Sequence, residues 1–184
     1  MSPIAAAVGI SIDPMLRNYV QKKHLTHYNV GVHTFTFPIG ESLCLKITEM
    51  SQAVFEKAMV VDRIETGQKD LDGFLHVALR KSDIDLSIEE SVWRAIGRHK
   101  LSITASFFDE KLNKIWESEV TVEGKGFDFI SSRIEYEWWR ESGPNFAPAV
   151  DDAIQKVTYE LAQRLVASKE ITEFVSTIAG RHSK

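Results

Sequence analysis

The stretch Leu101 to Gly126, LSITASFFDEKLNKIWESEVTVEGKG, constrains the fold more than any other part of this chain. Leu101, Ile103, Ala105 and Phe107 alternate with polar or smaller residues, Asp109-Glu110-Lys111 interrupts them, and Ile115 to Val122 runs back with Trp116, Val120 and Val122. Alternation with a period of two places one side of each strand against a core and the other toward water. Asp, Asn and Gly at the ends punctuate the strands. The stretch therefore reads as a long antiparallel hairpin, half-buried, and any architecture must give its apolar face a cover.

With 184 residues the chain is long enough to bury that face without disulfide or metal staples, and it is expected to form a single domain, 1–184. There is one cysteine, so no intrachain disulfide can form; Cys44 lies between Leu43 and Leu45 and reads as a buried structural thiol. Twenty-two basic against 26 acidic residues give a formal charge of -4, which argues against a broad nucleic-acid surface. No run approaches the length of a membrane-spanning helix. The first residues, Met-Ser-Pro-Ile-Ala-Ala-Ala, have neither the basic start nor the apolar run of a signal peptide.

Elsewhere the pattern alternates between the two periods. Ala5 to Ile12 reads as a strand with Val8, Ile10 and Ile12 on one face, and Asn29 to Phe37 as another, ended by Pro38-Ile39-Gly40. The basic stretch Asp13 to Tyr28 reads as a loop or a short exposed helix. From Glu41 to Lys57, Leu43, Ile47, Met50 and Val54 fall on one helical face. A short strand at Met59 to Val61 and a polar loop over Asp62 to Asp72 follow. Gly73 to Ile88 reads as a long strand bent near Lys81-Ser82-Asp83, and Glu89 to Lys100 as a surface turn or short helix carrying Trp93. A long helix from Ala147 to Ser168 shows the stripe Val150, Ile154, Val157, Leu161 and Leu165, with a short tail helix at 170–179. Elements with one apolar face each are buried most simply as an α+β two-layer sandwich: a mostly antiparallel sheet of four to five strands packed against two long helices.

Chemistry is harder to find. His24 and His27 make H-x-x-H, with His33 six residues on, but no third ligand has motif spacing and Lys22 and Lys23 repel a cation, so no metal is expected. His33 and His76 lie in strand patterns; His99 and His182 sit in polar surroundings and carry no signal. Glu89-Glu90, Asp109-Glu110 and Asp151-Asp152 each read as a turn or helix start, and Gly124-Lys125-Gly126 as a turn that ends a strand. The hydrolase elbow, phosphate loop and dinucleotide fingerprint are missing, so neither a cofactor nor an enzymatic role is expected. A partner-binding surface is expected at Tyr136, Trp138, Trp139 and Arg140, because adjacent tryptophans on a strand point to opposite faces and an indole beside a guanidinium is a common anchor.

Gly40 with Leu43, Phe55, Val60-Val61, the hairpin from Leu101 to Trp116, and the final helix from Ala153 to Leu165 together resemble small envelope lipoproteins of Gram-negative bacteria. The likeness is to the YajG-like and LpoB-like lipoproteins and to TolB amino-terminal domains. It implies a non-enzymatic, periplasmic adaptor at the outer membrane that binds an envelope protein or glycan. The lipobox cysteine of those proteins is not in this sequence, so membrane attachment is expected only through a lipid anchor outside it. A second reading is a cytoplasmic small-ligand carrier or enzyme, with Phe35, Phe37, Phe107, Trp116 and Trp138 around a pocket and His33 and His76 as its polar groups. The apolar tail stripe, Ile171, Phe174, Val175 and Ile178, must be covered either by a second copy, giving a homodimer, or by the chain's own body.

Overall fold

The computed structural model describes residues 3–68, 70–129 and 143–182. Along the chain these form β1 (Ile4–Ile12), α1 (Pro14–Arg17), β2 (Gln21–His27), β3 (Gly31–Phe37), α2 (Ile39–Val54) and β4 (Phe55–Val60). They continue as β5 (Gly73–Glu89), β6 (Arg94–Asp109), β7 (Lys114–Phe129), α3 (Ala147–Ala167) and α4 (Lys169–His182). The fold is α+β. A five-stranded sheet has the order β4-β1-β5-β6-β7, and β2 and β3 form a separate two-stranded ribbon. The sheet is mixed: β1 runs parallel to both β4 and β5, while β5, β6 and β7 make an antiparallel meander.

One face of the sheet is the core. Val8 and Ile10 of β1, Leu75 and Val77 of β5, and Leu101, Ile103, Ala105 and Phe107 of β6 are fully buried on it. The helices α2 and α3 cover that face with the stripes read from the sequence, Leu43, Ile47 and Val54 on one and Val150, Ile154, Val157, Leu161 and Leu165 on the other. The tail stripe is covered by the chain itself: Ile171 and Ile178 are buried, and the Phe174 ring meets Phe107 edge-on at 5.5 Å. The opposite face is polar and its charges answer each other across strands. Asp85 pairs in register with Arg98, and Asp83 with Lys100, which in turn faces Glu123.

The hairpin read from Leu101 to Gly126 is the middle of the meander, and its turn forms as expected. Asp109 accepts from the Lys111 and Asn113 amides at 2.9 and 2.8 Å while Leu112 takes the left-handed conformation. The expected bend in β5 is a register shift between Leu79 and Lys81.

Several expectations need correction. Glu89 to Lys100 is neither turn nor helix beyond the single turn Glu90–Val92; β6 begins at Arg94. Its inward residues there are Ala95, Gly97 and His99, too small or too polar to give an apolar alternation. Within Asp13 to Tyr28, residues 21–27 are strand β2, whose one buried side chain is Leu25; a ribbon exposed on most of its surface has little hydrophobic pattern to read. Helix α2 stops at Val54, and Phe55, Glu56 and Lys57 belong to β4.

Gly124-Lys125-Gly126 does not end a strand. It lies inside β7, directly beneath α3. A Cβ on Gly124 would sit 2.3 Å from the Ala149 carbonyl oxygen, and one on Gly126 2.5 Å from the Ala149 nitrogen. The glycines let the helix backbone rest on the strand backbone, which no other residue permits.

That approach also protects the edge of the sheet. On α3, Asp152, Lys156, Glu160 and Arg164 follow one another at helical spacing and pair as Lys156–Asp152 and Arg164–Glu160. The same side chains bind the outward backbone of β7. Lys156 donates to the Glu123 carbonyl at 3.2 Å, Arg164 to the Glu119 carbonyl at 2.8 Å, and the Lys125 amide donates to Asp152 at 2.8 Å. Unpaired edge groups are a template for aggregation, and here α3 occupies three of them.

Candidate functional site

Strand β3 brings Phe35 and Phe37 to the place where α2 and α3 begin, and a groove of about 450 Å³ opens between the three elements. Volumes of this order suit a small molecule or a protruding side chain. Its apolar wall is made of rings. Phe35 and Phe37 stack at 6.4 Å and 24°, and Phe146, buried just before α3, meets Phe35 edge-on at 5.1 Å and 87°. Thr36, Ser42 and Asp151 line the same groove. Among the described residues none of these three side chains makes a hydrogen bond or ion pair, so their polar atoms are unspent.

Two local features set the helix starts. Pro38 ends β3 because it has no amide to give a ladder, and α2 begins on it. Gly40 then allows the close passage of α1: a Cβ there would fall 2.3 Å from the Leu16 carbonyl oxygen. The amides of the first turns are largely committed. The Gly40 amide donates to the Tyr19 carbonyl at 2.9 Å, Ala147 to the Asn145 side chain at 3.1 Å and Ala149 to the Phe146 carbonyl at 3.2 Å, while Pro148 has no donor.

The residues expected from sequence do not converge on one pocket. Phe35 and Phe37 line the groove, but Phe107 is fully buried beneath α4, stacked on Phe55 at 6.0 Å. Trp116 packs half-buried against the core. His33 lies beside the groove, its ring 6.1 Å from that of Phe35, but does not line it, and its Nε2 is bound to the Val30 carbonyl at 2.8 Å. His76 lies on the other face of the sheet, with Nδ1 3.4 Å from the Ser11 hydroxyl. His24 and His27 are on strand β2, where a spacing of three puts them on opposite sides; His24 pairs with Thr34 and His27 with Glu90. Tyr136, Trp138, Trp139 and Arg140 lie outside the described residues, as does the pocket role expected of Trp138.

Sequence reasoning passed over His99. It is fully buried where β2, β5 and α3 meet; Nε2 lies 2.9 Å from the Ser82 hydroxyl, which itself donates to Gln21 at 2.8 Å. Nδ1 is buried without a hydrogen bond. Burial lowers the imidazole pKa to about 4, against a smaller opposing pull from Asp83 and from the Val150 backbone. The ring is neutral at ordinary pH and serves the interior, not the groove. No signal in the sequence marked it, because its neighbours Arg98 and Lys100 face the other way.

No protein family and no curated protein sequence matches the chain. Solved structures similar to it include a minor lipoprotein from Acinetobacter baumannii, at 11% identity over 89% of this chain and 95% of that one, TM-score 0.43. A hypothetical protein from Chlamydia trachomatis is similar at 10% identity over 87% and 96%, TM-score 0.43. A lipoprotein from Neisseria meningitidis is similar at 10% identity over 85% and 99%, TM-score 0.37. Bacterial lipoproteins thus stand among its structural neighbours. Among the described residues no helix is long and apolar enough to cross a membrane.

Proposed function

We propose that this chain is a non-enzymatic binding domain of the bacterial cell envelope, working at the periplasmic side of the outer membrane and holding a protein partner in the groove between β3, α2 and α3. One observation carries the mode of action: rings and unspent polar side chains line one open groove, the combination by which binding sites orient an occupant. Its frame is firm, because Phe146 and the starts of both helices are anchored in the core. The compartment rests on the resemblance of the hairpin and final helix to envelope lipoproteins.

Retention of a defined complex from solubilised envelopes tests the reading. Thr36, exposed on the groove rim, is replaced by tryptophan to fill the groove, and Lys100, on the opposite face of the sheet, is replaced likewise as the control. The expected result is that Thr36→Trp loses the partner and Lys100→Trp keeps it. Equal retention by both variants, or fractionation of the native protein away from the envelope, overturns the proposal.

A further inference from the structure

We infer that the groove receives a basic side chain, arginine or lysine, projecting from the partner polypeptide, with the Asp151 carboxylate as its counter-charge. This rests on the reading above that the groove holds a protein. Among the described residues Asp151 is the only formally charged side chain lining the groove, and it has no ion-pair partner among them. A purely apolar occupant would leave that carboxylate without a counter-charge, whereas a cationic one supplies it. An anion is disfavoured by the same carboxylate. The amides of Gly40, Ala147 and Ala149 at the helix starts already have acceptors, and Pro38 and Pro148 have no N–H.

A basic side chain satisfies each wall at once. Its aliphatic stem lies along the phenyl rings, whose faces attract the cationic head. The head reaches Asp151, and the Ser42 hydroxyl is an acceptor for one of its remaining N–H groups. Arginine suits the arrangement best, because its planar guanidinium stacks on a ring while its edge donates to a carboxylate. Of the groove's rings Phe35 is half-buried while Phe37 and Phe146 are buried, so Phe35 is the ring accessible to such a group.

The test uses the full chain labelled with nitrogen-15 and three blocked amino acids as probes: N-acetyl methylamides of arginine, norleucine and glutamate. The expected result is that arginine shifts the amides of Thr36, Ser42 and Ala147, that norleucine and glutamate shift them less, and that Asp151→Asn and added salt each weaken arginine binding about fivefold or more. Asp151 is exposed, so the variant is expected to keep the parent melting temperature. Norleucine binding as well as arginine, an unchanged Asp151→Asn, or no probe moving these amides overturns the inference. The envelope complex is a separate readout. If Thr36→Trp still abolishes that complex while arginine fails, the side chain assigned is wrong and the partner-binding reading survives; if both fail, both are wrong.

Discussion

His99 Nε2 lies 2.9 Å from the Ser82 hydroxyl, and this contact joins the β2–β3 ribbon to the meander through Gln21. The ring is fully buried, and its pKa is lowered to about 4 from an ordinary 6.5. The unfolded chain therefore takes up the proton first. The stability contributed by the neutral ring is fully present above pH 6.5, declines as pH falls, and is spent below about 4. The expected loss across that window is on the order of 2–3 kcal/mol, read from urea midpoints at several pH values. His99→Leu is expected to flatten this limb while lowering stability at pH 7, because Ser82 loses one of its two partners and keeps only Gln21. A parent protein equally stable at pH 7 and pH 4 contradicts the assignment.

Gly124 is a contact between backbones. Gly124→Ala places a methyl group 2.3 Å from the Ala149 carbonyl oxygen and is expected to cost about 3 kcal/mol, since neither the strand nor the helix backbone can give way cheaply. Glu123→Ala, one residue away on the exposed face, is expected to change stability by no more than about 0.5 kcal/mol. Thermal melts of the two variants check this, and similar values for both would remove α3 from the position described.

The ladder on α3 protects the β7 edge more than it stabilises the fold. Exposed ion pairs contribute little, so Lys156→Ala with Arg164→Ala is expected to lower stability by only about 1 kcal/mol. The Glu119 and Glu123 carbonyls, however, lose their donors. Sedimentation velocity is expected to show more associated material than the parent at equal concentration. A double variant that unfolds readily yet associates no more than the parent contradicts the role.

What the sequence made legible follows from where side-chain periodicity meets a thick core. The stripe from Val150 to Leu165 and the alternation from Leu101 to Phe107 were readable because large apolar residues line each inward face. The same strand vanished from view over Arg94 to Lys100, because α3 comes so close that only Ala95, Gly97 and His99 fit beneath it. The glycines of β7 looked like a turn for the same reason. Of the candidate site, Phe35 and Phe37 were named, yet the groove itself was not, since its walls come from residues 35–42 and 143–151, brought together only by the packing of α2 on α3.

A photo-crosslinking residue placed at Thr36 in living cells tests the proposed occupation of the groove by a protein partner, with Lys100 on the opposite sheet face as reference. The predicted result is a discrete adduct from position 36 that is absent from position 100 and is lost when Asp151→Asn is combined with Phe35→Ala. Adducts of the same pattern from both positions, or none from position 36, would contradict it.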